Sequence, residues 1–376
     1  MSEPGPRTLL VLNLGSSTLK AAQYEKSGLS GAWPCRLSRV EIALVNPSRE
    51  LDAALAQVVD ALGLVSAPAF VGHRVVHGGE AEQARVLDAA ELERLGALSC
   101  FAPLHQRAAL RLVSAVQNRW PGTRQYASFD TSWHAQLPAN TRRLAVPKVW
   151  DALGIRRYGF HGLAFASAMR QVREADSRLG RERVVLAHLG SGCSLCAVRD
   201  SQSLDTTMTS TPLDGLPMAT RSGSLDPGAV LHLLRAGGLS VDALEEALYH
   251  ECGLRGVSGL SGDVRELLAE SSIEAALALD IFALRIAQGI ASMATRLGGI
   301  DHLIFSGGIG ANVSRVRAAI TNHLTWLGIG LDESANDRGD ARIESPGSRA
   351  RVWRVDVDEE AEIASACAVV TALMRS

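Results

Sequence analysis

"LLVLNLGSSTLKAA", residues 9–22, returns about 175 positions later as "VVLAHLGSGCSLCAV", residues 184–198. Each reads as an apolar strand, a polar residue, Leu-Gly-Ser, a small residue and a second strand. Such an echo predicts a duplicated domain, each copy opening with its own Gly-Ser hairpin. Chance likeness of two short Gly-Ser strands is the competing explanation. If the duplication holds, the two hairpins face each other across a cleft, and a polyphosphate is their natural ligand. Gly15 lets backbone N–H groups approach a ligand closely, and Ser16, Ser17 and Lys20 add donors suited to an oxyanion. The G-x-x-x-x-G-K-[ST] spacing of a P-loop is missing. Taken alone, the hairpin at Asn13–Lys20 equally suits a plain polar β-turn.

Strands and helices alternate through the rest of the chain, an α/β pattern. "TLLVLNLG", "QYASFDTS" and "RVVLAHLGSG" read as strands, and "AFVGHRVVHGG" starts as one and ends in a turn. "HLIFSGGIG" is a strand running into a glycine turn. "ELDAALAQVVDALG", "LHQRAALRLVSAVQNRW" and "SVDALEEALYH" read as helices, and the last residues as a closing helix. At 376 residues the chain suits two domains at roughly 150 each. A net charge of −2 offers no global field for nucleic acid or an anionic membrane. The most apolar long segment, Ile273 to Leu297, carries Asp280, Arg285, Gln288 and Arg296, and predicts a buried amphipathic helix rather than a membrane span. "MSEPGPR" lacks the apolar core of a signal peptide and predicts a frayed tail. Cys193 and Cys196 lie three apart on a strand and so face opposite ways. That predicts buried free thiols, as in a reducing compartment such as the cytoplasm.

Several stretches carry chemistry. "FSGGIGANV", 305–313, permits close backbone approach at Gly307, Gly308 and Gly310, as a nucleotide contact or as a plain loop. Arg74 ends an apolar strand and Arg221 sits in "PMATRSGSLDPG"; as a pair they suit a carboxylate or a transferring phosphoryl group. Only three of the 38 basic residues are lysines, so either arginine can equally be a surface group. His161 lies between Phe160 and Gly162. Asp130, Asp356, Asp358, Glu359 and Glu360 follow strands, where carboxylates cap helices or hold Mg²⁺ together with phosphate and water.

Together these stretches resemble the acetate kinase (acetokinase) family, which includes propionate and butyrate kinases. The likeness runs from about residue 8 to 370 through ten blocks in the family's order: "NLGSSTLK", "VGHRVVHGG", "APLHQ", "FDTSWH", "YGFHG", "AHLGSGCS", "TPLDGLPMATRSGSLDPG", "SGDVREL", "GGIGANV" and "VDEE". It implies two ribonuclease-H-like domains of the acetate and sugar kinase, heat-shock ATPase and actin superfamily. One comprises residues 1–134 plus a returning helix at 361–376, the other residues 135–360. It also implies a cytoplasmic homodimer that transfers a phosphoryl group from ATP to a short carboxylate with Mg²⁺, or Mn²⁺ in its place, yielding ADP and an acyl phosphate. Neither nucleic acid nor membrane is a partner.

By the same resemblance Arg74 and Arg221 bind the carboxylate and the travelling phosphoryl group, and His161 stabilises the transition state. Glu359 is the metal ligand, with Asn13 and Asp130 around the metal and its water. Asn13, Ser16, Ser17 and Lys20 form the first phosphate hairpin, and His188, Leu189, Gly190, Ser191 and Gly192 the second. Asp263, Val264 and Arg265, with Gly308, Ile309, Gly310, Ala311 and Asn312, are the nucleotide segments. Val76, Leu104, Phe160 and Pro212 line the apolar pocket for the acid's alkyl group. The chain departs from the family at Ser191 (usually Asn), Ala219 (usually Gly), Ser224 (usually acidic) and Ala311 (usually Glu). These bear on nucleotide preference and on the acid used. Propionate is the alternative acceptor. A nucleotide-binding regulatory ATPase is the reading from another class; it needs both hairpins but not the arginine pair and His161.

Overall fold

The computed structural model describes residues 8–15, 17–25, 35–45, 47–176, 179 and 181–373. The tail at 1–7 and Ser16 lie outside the described residues. The chain divides into two compact units. The first runs to Ala135 and takes in Phe160–Ser167 and everything from Asp358; the second holds Gln136–Gly159 and Ala168–Val357.

In the first unit, strands β1 (Thr8–Leu14), β2 (Thr18–Glu25), β3 (Cys35–Ala43), β4 (Phe70–Val75), β5 (Arg85–Val86) and β6 (Arg124–Phe129) form one sheet in the order β3-β2-β1-β4-β6-β5. β1 to β3 are antiparallel neighbours, and β1, β4 and β6 run parallel. The period-2 alternation of β1 explains its layers. Leu10, Leu12 and Leu14 pack on the helices Pro47–Ala61 and Pro103–Arg119, through Leu55, Val58, Leu112 and Val116. Leu9 and Val11 pack the opposite way, on Ile363, Ala364 and Cys367 of the closing helix Glu359–Leu373. Being apolar on both faces, β1 is a central strand.

In the second unit, β7 (Val184–Leu189), β8 (Cys193–Arg199), β9 (Gln202–Thr206), β10 (His302–Ser306) and β11 (Arg351–Arg354) are ordered β11-β10-β7-β8-β9. β7 to β9 are antiparallel and β7, β10 and β11 parallel. Each sheet thus contains a hairpin, a third antiparallel strand outside it, and two parallel strands on its inner side. The repeat seen in two sequence stretches is a repeat of topology. The helix Ile273–Leu297 is long and apolar enough to cross a membrane by length and composition. Here Phe282, Ile286 and Ile290 are buried, and a Cβ at Gly289 would lie 2.6 Å from Leu195 of β8. It is a core helix of this unit, capped by Ser272 and ended by left-handed Gly298. All six cysteines are free, and Cys193 and Cys196 are buried. The Cys193 thiol meets the Gly190 carbonyl and the Cys196 thiol meets Ser203, so they serve different surroundings.

One buried side chain ties the first sheet to pH. His73, on the helix-facing side of β4, bonds Gln125 Oε1 at 2.7 Å, and burial pushes its imidazole down to about 4 from an ordinary 6.5. Between those values the unfolded chain takes up a proton that folded His73 refuses, so stability falls as pH drops from 6.5 and levels off below 4. The loss amounts to roughly 3 kcal/mol. Urea unfolding from pH 7 to 4.5 should show this slope, shallower by about one proton in His73→Leu.

Candidate functional site

Because β1, β4 and β6 run parallel, their carboxyl-terminal ends lie side by side, where open α/β sheets carry their chemistry. Asn13, Arg74 and Asp130 occupy those ends. All three project to the face covered by the closing helix, since Asn13 follows Val11, and Arg74 follows Gly72, by two positions. Gly72 is needed there: a Cβ would come within 2.7 Å of Cys367 Sγ.

The three side chains form one network with the start of the closing helix. Arg74 donates a two-point fork to Asp130, Nε to Oδ1 at 2.9 Å and Nη2 to Oδ2 at 2.6 Å. Its Nη1 lies 3.4 Å from Asn13 Oδ1 and 3.6 Å from Glu359 Oε2. Asn13 Nδ2 donates to Glu359 at 2.8 Å and to Glu360 at 2.6 Å. Arg39 on β3 reaches the other Glu360 oxygen at 2.9 Å. Burial pulls the Arg74 guanidinium down, but Asp130, Glu359 and Glu360 outweigh it and hold the group above its ordinary value. Burial pushes the Asp130 carboxyl up, with Glu359 adding to the rise, against the pull of Arg74 and of the His161 N–H.

Asp130 also sets His161. Its main-chain carbonyl accepts the Gly162 N–H at 2.9 Å, while its carboxylate accepts the His161 N–H. A Cβ on Gly162 would sit 2.2 Å from that carbonyl, so only glycine permits the approach. His161 is held at φ 59°, in the left-handed region. Such a conformation costs on the order of 1–3 kcal/mol and persists only where the surroundings over-determine it. Phe160, just before it, is buried; its carbonyl meets His134 Nε2 at 3.1 Å. Val76 follows β4 and is buried, and Leu104 opens the helix Pro103–Arg119 and is exposed.

At the first hairpin, Gly15 N–H bonds the Thr18 carbonyl at 2.8 Å and closes the turn. Asn13 pairs directly with Lys20 across β1 and β2, which puts both side chains on one face. Ser17 is exposed in the turn.

In the second unit His188, at the end of β7, pairs with Ser306 at the end of β10, its Nδ1 3.2 Å from the hydroxyl. Gly190 N–H bonds the Gly192 carbonyl at 3.0 Å and tightens the hairpin. Gly307 adopts φ +80° against the Leu189 carbonyl, 2.5 Å from where a Cβ would lie. From there the chain forms a short helix, Gly307–Asn312, where the sequence suggested a simple turn. Asn312 Nδ2 bonds the Gly308 carbonyl at 3.0 Å and holds that helix. His188–Gly192 and Gly308–Asn312 are therefore one contiguous surface.

Arg317 supports this surface from within. It is buried, and its guanidinium donates to the Gly310 and Ala311 carbonyls at 2.9 Å and to Asn336 Oδ1 at 2.7 Å. Arg354 Nε adds a bond to the Ala311 carbonyl at 2.9 Å. Burial, with Arg354 nearby, pushes the Arg317 guanidinium down to about 10. The sequence held no signal for it among so many arginines.

Arg221 lies in a loop pinned to the hairpin and to a neighbouring helix. Ala219 N–H bonds the Ser191 carbonyl at 3.3 Å, Cys252 N–H bonds the Thr220 carbonyl at 3.0 Å, and Leu254 N–H bonds the Met218 carbonyl at 2.9 Å. The Arg221 guanidinium donates to the Pro212 carbonyl at 3.3 Å and lies over the Tyr249 ring. Burial pulls it below its ordinary value. Ser224, where the family usually carries an acid, donates to Asp214 at 2.6 Å, so a carboxylate persists one bond away. Asp263 caps the helix Val264–Ala269 through Arg265 N–H and grips the Arg265 side chain, a local pair; Gly262, just before it, packs against Ala219, whose carbonyl a Cβ there would meet at 2.7 Å.

Among the described residues no group of three or more His, Cys, Asp or Glu is arranged to hold a metal. The Glu359 carboxylate is a donor of the kind Mg²⁺ takes, whereas Asn13 turns its Nδ2 to Glu359 and its Oδ1 toward Arg74, so its amide would have to turn over to offer an oxygen beside that carboxylate. Mg²⁺ at a nucleotide takes one or two protein ligands, the rest being phosphate and water.

A profile of the acetokinase family matches residues 8–365. The acetate kinase of Methylocella silvestris is 43% identical over 294 residues, 78% of this chain and 73% of that protein. A propionate kinase structure from Francisella tularensis superposes with a TM-score of 0.84 at 32% identity, covering 96% of this chain and 98% of the other. The acetate kinase structure of Porphyromonas gingivalis gives 0.80 at 30%, covering 97% and 99%.

Proposed function

We infer, from a chain that belongs to the acetokinase family, an acetate kinase that transfers the γ-phosphoryl group of ATP to acetate, giving acetyl phosphate and ADP. The observation that carries the reading is the Arg74–Asp130 fork beside a left-handed His161, at the ends of three parallel strands.

Acetate is already ionised at pH 7, so no general base is required. One carboxylate oxygen attacks the γ-phosphorus as the bond to the bridging oxygen of ADP breaks. The protein's work is alignment and neutralisation of charge on the equatorial oxygens. Arg74, with two of its N–H groups spent on Asp130, is locked in orientation and presents its remaining edge to the carboxylate. Arg221 and His161 donate to the travelling phosphoryl group. Val76, Leu104, Phe160 and Pro212 receive the methyl group. Asn13, Ser17, Lys20, His188–Gly192, Asp263–Arg265 and Gly308–Asn312 hold the nucleotide. Glu359 would hold Mg²⁺, joined by Asn13 once its amide turns its oxygen from Arg74 toward the metal; when bound, the ion draws charge from the phosphates.

Hydroxylamine trapping with Mg-ATP and, separately, acetate, propionate, butyrate or no acid tests the reading. Acetate should give the most hydroxamate. Propionate in first place would move the assignment to a propionate kinase, and ATP hydrolysis indifferent to any acid would end the acyl kinase reading. We also propose a homodimer working in the cytoplasm. The helix Gly253–Ser258 packs along Ile273–Leu297, and Val257, Leu260, Ile273 and Leu277 around them are exposed apolar side chains suited to a second copy. Light scattering at the 39.9 kDa chain mass, rather than twice that, would contradict the dimer.

A further inference from the structure

We propose that Gln106, through the His77 it grips, is a positioning residue that sets which carboxylic acid the site accepts. The inference rests on the acyl kinase reading above and adds a determinant of its acid specificity.

Gln106 is fully buried near the start of the helix Pro103–Arg119. Its amide grips the main chain of one residue at two points: Oε1 accepts the His77 N–H at 3.1 Å and Nε2 donates to the His77 carbonyl at 2.9 Å. Nε2 also donates to the Leu95 carbonyl at 3.2 Å. With one oxygen facing a donor and one nitrogen facing two acceptors, the orientation of the amide is unambiguous. Glutamate would set an acceptor against two carbonyls, leucine would leave three main-chain groups unmet, and asparagine falls one methylene short.

His77 passes this restraint to the pocket. It directly follows Val76, and its ring stands edge-on to Phe160, centroids 5.5 Å apart at 72°. On its other side Phe101 lies 5.5 Å away, tilted by 30°. Gly79 N–H donates to His77 Nδ1 at 3.0 Å and fixes the ring's rotation. Leu104 sits two residues before Gln106 on the same turn. Three proposed pocket walls, Val76, Leu104 and Phe160, are therefore joined to one hydrogen-bonded unit by a peptide bond, a helical turn and a ring contact. None of them carries a polar group that could fix its own place.

A pocket tells acetate from propionate by a single methylene, a discrimination of about 10- to 200-fold at best. A wall that yields by a fraction of an ångström forfeits it. The Gln106 side chain bonds the main chain of His77 and Leu95, beside the proposed acid pocket, so its loss should be felt at the acid and not at the nucleotide.

The test is steady-state kinetics of hydroxamate formation for Gln106→Leu and His77→Ala against the wild type, with acetate, propionate and butyrate, and with ATP varied separately. Gln106→Leu should raise KM for acetate about tenfold and cut the acetate-to-propionate ratio of kcat/KM at least about fivefold, with KM for ATP within about twofold. His77→Ala leaves the main-chain bonds in place and frees room behind Phe160; it should shift the ratio the same way, and it carries the test alone if Gln106→Leu does not fold. Equal losses toward acid and ATP, or an unchanged ratio in folded variants, would overturn the proposal. A wild type that makes no hydroxamate from any acid would overturn the acyl kinase reading itself, and this inference with it.

Discussion

Arg74→Ala should lower kcat/KM for acyl phosphate formation by about 10³- to 10⁵-fold, the range found for arginines that neutralise a transferring phosphoryl group. That is about 4–7 kcal/mol of transition-state stabilisation. The same substitution should also destabilise the fold by about 3–5 kcal/mol, because Asp130 is left buried without its guanidinium. The two effects are separable. Arg74→Met combined with Asp130→Asn removes both charges, keeps a hydrogen-bonding side chain for the His161 and Gly162 turn, and should recover much of the stability. Activity should remain at the level of the single variant. Chemical denaturation beside hydroxamate kinetics reads both. A folded Arg74→Ala protein with near-normal turnover would remove Arg74 from the chemistry, and recovery of activity in the double variant would reduce its role to support of Asp130.

Much of this site was legible in the sequence because its residues end central strands. Apolar strands buried on both faces are easy to read, and a polar side chain at the end of one stands out: Asn13 after Leu9 to Leu12, Arg74 within "VGHRVV", Asp130 after "YASF". The Gly-Ser echo anticipated the duplicated topology for the same reason. β3, by contrast, is exposed on one face and only half-buried on the other, through Val40 and Ile42, and mixes charge into its run, so its nine residues carry little strand signal. The groups that hold the site rigid were not legible either. Arg317 is one arginine of many until the fold brings the Gly310 and Ala311 carbonyls to it. Gln106 looks like an ordinary helix residue until His77, 29 positions earlier, meets it. Glu360 sat in an acidic run that could as well cap a helix; burial against Asn13 and Arg39, a tertiary fact, distinguishes it from Asp358. The glycine segment at 307–312 was visible as a ligand approach but not as a helix, since five of its six residues are poor or indifferent helix formers, and the segment is held by bonds from Arg317, Arg354 and Asn312.

Arg221→Ala should likewise cost about 10³- to 10⁵-fold in kcat, and here the conservative variant is the more informative. Arg221 sits in a desolvated place that pulls its guanidinium down, yet arginine starts so high that it stays charged throughout the working range. Lysine starts about two to three units lower, and burial disfavours its charged form. Arg221→Lys should therefore be impaired at every pH, having lost the planar fork, and should also acquire a pH dependence that the wild type lacks. Only the ammonium can neutralise the phosphoryl oxygens, so activity must fall as pH rises through the lowered lysine value and be best retained on the acid side. Profiles of kcat from pH 6 to 9.5 for both proteins, with the hydroxamate readout replaced by ADP release to keep hydroxylamine chemistry out of the comparison, measure this directly. A descending limb in the lysine variant alone would tie turnover to a positive charge at that position. Two parallel profiles with only a constant offset would mean that shape, not charge, is Arg221's contribution.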